Sequence, residues 1–133
     1  MSTLDPLRLL AIFAGAGTGG VLRYLLAAAV QSRAGPAFPH GTLWVNILGC
    51  LAIGIFFGLR DRTLLPGDST LWFFLTTGLC GGFTTMSAFS ADTFNLLRER
   101  EYLFALCNIG GSIAACLAAT VAGFLLVTAR HPS

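Results

Sequence analysis

Residues 69–91 read STLWFFLTTGLCGGFTTMSAFSA, a run in which no side chain is charged. A helix that crosses a bilayer needs about 20 mostly apolar residues, so this run is long enough to span a membrane. Its second half is rich in glycine and hydroxyl side chains, which disfavour a helix interior. They are Gly78, Gly81, Gly82, Thr84, Thr85, Ser87 and Ser90. The stretch predicts a transmembrane helix that is broken near the middle of the membrane.

A break at that depth frees backbone groups that lipid cannot satisfy. Carbonyl oxygens released by the break can hold a cation, and the N–H groups that begin the second half-helix can bind an anion. A helix that is merely kinked or flexible at this point is the alternative interpretation.

The composition of the whole chain indicates an all-α integral membrane protein. Of its 133 residues, 55% are hydrophobic and only 11% are charged, and the mean hydropathy is +0.77. A soluble domain carries about 25% charged residues. These figures exclude a disordered chain, a collagen and a soluble nucleic-acid-binding protein. The net charge of +2 is too small to indicate a polyanionic partner.

Charged residues divide the chain into four apolar windows, at 9–22, 34–59, 69–91 and 102–129. The first window is long enough to span only if its helix continues through Arg23. We therefore predict one domain over residues 1–133 with four transmembrane helices. Their approximate spans are 7–31, 41–60, 70–97 and 102–128. The runs lack the period-two alternation of a membrane β-barrel.

The arginines of the loops and termini show almost no bias between the two sides of the membrane. The chain has no lysine, and four spans place Arg8, Arg60, Arg62 and Arg130 on one side and Arg33, Arg98 and Arg100 on the other. Loop charge sets the orientation of membrane proteins, so four against three permits insertion both ways round. An antiparallel homodimer is the hypothesis that follows.

Small residues recur at four-residue spacing and predict faces where helices approach closely. Gly15 and Gly19 form one such pair, and Gly54 and Gly58 form another. The last helix carries a longer ladder, made of Gly111, Ala115, Ala119 and Gly123.

Polar side chains inside the spans mark candidate functional positions. Arg23 either extends to the interface or places a positive charge in a vestibule that attracts anions. Thr42 and Asn46 lie one helical turn apart, and Asn108 and Ser112 repeat that spacing. Each pair either bonds two helices together or offers donors to a passing anion. Asp92 is expected near the interface or paired with an arginine.

No motif indicates an enzyme, because the chain has neither a phosphate loop nor a Ser/His/Asp set, and no metal-ligand spacing. The two histidines, His40 and His131, lie in a connector and in the tail. The four cysteines sit inside apolar runs without zinc or redox spacing, so we interpret them as reduced, small apolar residues.

Three motifs occur in an order and spacing that resemble a known family. They are GAGTGGVLRY at 15–24, GTLWVNILG at 41–49 and TTGLCGGFTTMSAFSADTF at 76–94. Together they resemble the CrcB/Fluc fluoride channels over nearly the whole chain. The resemblance implies an antiparallel, dual-topology homodimer with two pores in a bacterial inner membrane. It also implies passive, fluoride-selective export that lowers cytoplasmic fluoride and confers resistance.

The resemblance further implies a structural Na+ at the dimer centre, held by backbone carbonyls of Gly81 and Thr84. It implies a vestibule arginine at Arg23. It places the fluoride pore at Asn46, Phe89, Met86, Thr42, Thr85, Ser87, Asn108 and Ser112.

Met86 departs from the family pattern, which has two phenylalanines three residues apart that coordinate fluoride through their ring edges. Phe89 matches the second of them, and Met86 stands at the position of the first. The edge of an aromatic ring is electropositive and can face an anion, whereas a thioether sulfur is a weak acceptor. We expect the pore to conduct, with weaker anion coordination at Met86.

Two other functions are compatible with four spans. A coupled small multidrug-type transporter uses a carboxylate within its first helix, but here that helix carries Arg23 and no acid beyond Asp5. A non-transporting membrane assembly factor would explain the small-residue stripes but not the broken third helix aligned with Asn46.

Overall fold

The computed structural model describes residues 4–129, and all secondary structure among them is helical. The predicted all-α class is thereby confirmed. Helices α1 (Pro6–Ala34) and α2 (His40–Asp61) come first. The third region begins with α3 (Thr70–Phe73), a π-helical segment (Phe74–Cys80) and α4 (Gly81–Phe83). It continues with α5 (Met86–Arg98), and α6 (Tyr102–Thr128) completes the described chain.

Helices α1, α2 and α6 are long and apolar enough to cross a membrane, which makes this a multi-pass membrane protein. Each covers the corresponding span expected from the sequence. In the third region, predicted over 70–97, the residues between α4 and α5 are extended. Arg130 and His131 lie outside the described residues.

Local capping explains where several helices begin. Asp5 accepts a hydrogen bond from the Leu7 amide at 3.1 Å, directly before a proline at the first helical position of α1. The Ser69 hydroxyl accepts from the Trp72 amide at 3.1 Å and so caps α3. Each cap satisfies an N–H group that the first turn of a helix leaves without a partner.

The glycine pairs mark the closest helix contacts. Gly15 packs against the backbone of the π-helical segment, and Gly19 against its end and α4. Gly54 meets the backbone of Thr120, so α2 and α6 touch along their backbones. A Cβ atom at any of these positions would overlap main-chain atoms, which only glycine avoids.

The ladder predicted along α6 is only partly correct. Gly123 packs against the backbone of Leu51 in α2. Gly111, in contrast, has no neighbouring atoms within 4 Å of the place where a Cβ would stand. Residues of the ladder far from Gly123 therefore lie outside the face of α6 that contacts α2, because a strict four-residue spacing rotates around a helix of 3.6 residues per turn.

The connector between α1 and α2 is held by one side chain. The Gln31 amide donates to the carbonyls of Gly35 at 2.6 Å and Phe38 at 2.9 Å, and it accepts from the Gly41 amide at 3.0 Å. Gly35 adopts a φ of 85°, which favours glycine. The connector forms the rim of the pocket described below.

Candidate functional site

The site is centred on the interruption between α4 and α5. Thr84 (φ −81°, ψ 156°) and Thr85 (φ −149°, ψ 117°) are both extended. The Asn46 carbonyl oxygen accepts from the Thr85 amide at 2.7 Å, and the Asn46 amide donates to the Thr85 carbonyl at 3.1 Å. One side chain of α2 thus satisfies both backbone groups of Thr85, which lipid could not do.

Two hydrogen bonds at the interruption release two carbonyl oxygens from helical pairing. In a continuous helix the Gly81 carbonyl would accept from the Thr85 amide, but that amide donates to Asn46. The Thr84 carbonyl would accept from the Ala88 amide, which donates at 3.1 Å to the Thr85 hydroxyl instead. Gly81 and Thr84 are the positions at which the sequence resemblance places a cation.

The Thr85 side chain caps α5 and joins a second hydroxyl. Its Oγ1 atom lies 3.1 Å from the Ser87 hydroxyl, and either atom can be the donor. The start of α5 therefore gathers an amide, two hydroxyls and the positive end of a helix. Such a group of donors can bind a small anion.

A pocket of about 670 Å³ opens beside the interruption, and its lining includes Arg23, Thr42, Thr85 and Asp92. The Arg23 side chain is partly buried, and its Nε atom has no hydrogen-bond partner in the described chain. A buried donor that lacks a protein partner is a rare feature, and an arginine in this state favours an anion in the pocket.

Asp92 is held by Thr42 and not by an arginine. The Thr42 hydroxyl donates to Asp92 Oδ2 at 2.6 Å, across α2 and α5. The alternative of an Asp92–arginine pair is therefore wrong for the described residues, where the hydroxyl is the carboxylate's partner. Because its proton is committed to Asp92, Thr42 donates to an anion only after that bond opens.

Asn108 and Ser112 lie on α6, in a separate network from Thr42 and Asn46. The Asn108 amide donates to the Thr93 hydroxyl at 2.9 Å, and that hydroxyl donates to the Phe89 carbonyl at 2.8 Å. Ser112 donates to the Asn108 carbonyl oxygen at 3.4 Å. Asn108 is 1% exposed. Within one protomer these bonds connect α6 to α5.

The two positions to which the sequence resemblance assigns fluoride coordination, Met86 and Phe89, differ in exposure. Phe89 is partly buried, whereas the Met86 side chain is 75% exposed on the first turn of α5. Met86 therefore projects from the protomer surface and not into the pocket. Of the predicted residues, the structure groups Asn46, Thr85 and Ser87 at the interruption and Arg23 and Thr42 at the pocket.

Sequence reasoning missed two contributors, Thr93 and Gln31. Thr93 follows Phe89 by four residues, the spacing at which a hydroxyl reaches the carbonyl of the preceding turn. The sequence shows this spacing, but it does not show that the Thr93 hydroxyl also accepts from Asn108 of α6. Gln31 follows Arg23 by eight residues, so it lies about two turns further along the same face.

Comparison with known proteins places these features in one family. The family model described as "CrcB-like protein, Camphor Resistance (CrcB)" matches residues 10–124. A protein of Phocaeicola vulgatus named "Fluoride-specific ion channel FluC" is 48% identical over 79% of this chain and 85% of its own length.

Two further relatives carry the same printed name. The protein of Geobacter sulfurreducens is 45% identical over 88% of this chain and 94% of its own length. The protein of Nitrobacter winogradskyi is 42% identical over 90% of this chain and 94% of its own length. The residues matched by the family model, 10–124, include the interruption and the pocket residues named above, and the chain belongs to the CrcB family.

Proposed function

We propose that the protein is a fluoride-selective, passive ion channel that exports fluoride from the cytoplasm. The observation that carries the proposal is the Asn46 amide at the interrupted helix, beside a pocket that contains an arginine with an unpartnered donor. The relatives' printed name supplies the ion. Export of this kind lowers intracellular fluoride and confers resistance to it. The activity is ion transport and not enzymatic catalysis.

The chemistry of the site suits a small, strongly hydrated anion. A selective pore replaces the water of its ion with protein donors, while binding stays weak enough for exit. Asn46 has two N–H groups and uses one on the Thr85 carbonyl, so one is left for an anion. The hydroxyls of Thr85 and Ser87 lie next along the path, and Arg23 draws anions into the pocket by its charge.

The remaining pore positions are proposed with different roles. Phe89 presents a ring edge at the position of the second ring, and Met86 occupies the position of the first ring with a poorer group for an anion. Asn108 and Ser112 border the path only if their network with Thr93 opens. Thr42 joins it when its bond to Asp92 opens.

An antiparallel, dual-topology homodimer completes the proposed channel, with the interruption near the middle of the membrane. Two features support it. The loop arginines are nearly balanced. Large apolar side chains, including Met86, are exposed on the protomer. Lipid or a second copy must cover them in a membrane protein of this size, and a second copy would bring another set of donors to Met86.

A structural Na+ fits the residues present at the interruption. Gly81 and Thr84 have carbonyl oxygens released from helical pairing, and oxygen ligands suit a hard cation. Two copies would supply such oxygens from both protomers. When bound, the ion contributes positive charge that offsets the carbonyl dipoles. The carbonyls themselves are positioned by Asn46 and by the cap at Thr85.

The two alternatives have less support. Helix α1 lacks the carboxylate that a coupled multidrug-type transporter would use. The hypothesis of an assembly factor does not explain the pocket or Arg23. The inner membrane of a bacterium is the proposed location, since the relatives named above are bacterial.

Flux from liposomes tests the function. Purified protein is reconstituted in vesicles loaded with potassium fluoride, and a fluoride electrode follows efflux after valinomycin is added. We expect fast fluoride release, no release from chloride-loaded vesicles, and no release by an Asn46→Asp variant, whose carboxylate would oppose both the Thr85 carbonyl and the anion. A Thr120→Val variant, altered away from the site, is the matched control.

The result that contradicts the proposal is a folded protein, by gel filtration and thermal melting, that releases no fluoride. Restoring phenylalanine by Met86→Phe then separates two causes. If Met86→Phe conducts, the channel assignment holds and the methionine blocks conduction. If it does not, a coupled transporter must be tested.

A further inference from the structure

Helices α2 and α6 form the most extensive helix contact of the protomer. They run parallel and in register, because Gly54 packs on the backbone of Thr120 and Gly58, one turn later, packs near the Phe124 carbonyl. The backbones touch at both levels. Positions four residues earlier on the two helices therefore face each other at short range.

Two cysteines occupy those earlier positions. Cys50 precedes Gly54 by four residues, and Cys116 precedes Thr120 by four residues. One turn before the contact of Gly54 with the Thr120 backbone, the parallel register places these two side chains on adjacent turns of α2 and α6. Both are free, and neither is fully buried. No spacing in the sequence relates them, since they are brought together only by the register of α2 and α6.

We propose that Cys50 and Cys116 form an oxidation site, at which a membrane-permeant two-electron oxidant generates an intraprotomer disulfide between α2 and α6. A disulfide needs Cα atoms about 4.4–6.8 Å apart, a separation that only closely packed helices provide. Two S–H bonds break and one S–S bond forms. The two protons and two electrons pass to the oxidant, which is reduced.

The other two cysteines do not fit this role. Cys107 is exposed near the start of α6, more than two turns before Cys116. Cys80 is buried at the end of the π-helical segment, and the third region contacts α2 at Gly49, next to Cys50, so Cys80 is the competing partner for Cys50. The tether would lie one turn from Asn46 and from Ser112, and its formation does not depend on what the protein transports.

Oxidation of the full-length protein in liposomes tests the proposal. The oxidant is diamide, a diazene that accepts two electrons and two protons. The protein is then denatured in SDS, alkylated with N-ethylmaleimide without reduction, and examined by intact mass and peptide mapping. We expect two of the four cysteines to escape alkylation, and one cross-linked peptide pair, Cys50 with Cys116, in a chain that migrates as a monomer.

Serine variants provide the controls, since serine nearly preserves the size of cysteine. In Cys50→Ser and in Cys116→Ser, all three remaining cysteines should alkylate after diamide treatment. Cys107→Ser should retain the cross-link. The proposal is overturned by alkylation of all four cysteines in the unaltered protein, by a Cys50–Cys80 link, or by a link between two protomers.

Discussion

Asn46 holds the two extended residues of the third region in place, so its replacement tests the central geometric claim. An Asn46→Leu variant keeps a similar volume but removes both bonds to the Thr85 backbone, at 2.7 and 3.1 Å. Thr85 is 9% exposed, so its N–H and C=O groups would be buried without these partners. Each unsatisfied group costs about 1–3 kcal/mol, which predicts a loss of about 2–6 kcal/mol in unfolding free energy.

That range exceeds the usual effect of a side-chain bond between membrane helices. Such bonds average about 0.6 kcal/mol, because the same polar groups also find hydrogen-bond partners in the unfolded chain within the membrane. Asn46 differs because two backbone groups at one residue depend on it. Thr120→Val is the matched control, since the Thr120 hydroxyl donates only to the Cys116 carbonyl of its own helix, at 3.1 Å.

Unfolding of the purified protein in SDS–detergent mixtures, followed by the fluorescence of Trp44 and Trp72, measures the difference. We expect Thr120→Val to change the unfolding free energy by less than about 1 kcal/mol, because the replacement is of similar size and removes only one bond within a single helix. If Asn46→Leu falls within that same margin of the unaltered protein, the bonds to Thr85 do not hold the interruption, and the reasoning is refuted.

Three further variants test the packing and the pocket. Gly19→Ala should destabilise the protein by about 1–3 kcal/mol, because its Cβ atom overlaps the backbone of the third region. Gly17→Ala is the control and should be neutral or slightly stabilising, since no atom lies within 4 Å of its Cβ position; thermal melting compares the two variants. Asn108→Leu should cost about 1–3 kcal/mol by leaving the buried Thr93 hydroxyl without its donor, and an unchanged melting midpoint would contradict this. Arg23→Gln should slow fluoride efflux relative to the unaltered protein at low salt, and the difference should disappear at high salt, where charge is screened. If the variant and the unaltered protein release fluoride at equal rates at both salt concentrations, Arg23 does not attract the entering ion.

Much of the fold was predictable because lipid imposes simple rules. The spans expected at 7–31, 41–60 and 102–128 lie within α1, α2 and α6, because a helix must be long enough to cross about 30 Å of hydrocarbon, which required the first one to continue through Arg23. The glycines of residues 76–90 pointed to the third region as the irregular one. The pairing of Thr42 with Asn46 on one face of α2 followed from helical periodicity alone.

The sequence by itself determined the helical class, the apolar spans and the polar residues within them, because these follow from local composition and period. Tertiary structure decided which of those residues meet. Thr42 and Asp92 are 50 residues apart, and Asn46 and Thr85 are 39 apart. Such contacts depend on the register at which α2 packs against its neighbours. The glycine spacing predicts which helix faces approach closely, but not that Gly54 of α2 meets Thr120 or that Gly49 meets Thr84, and those contacts set the register.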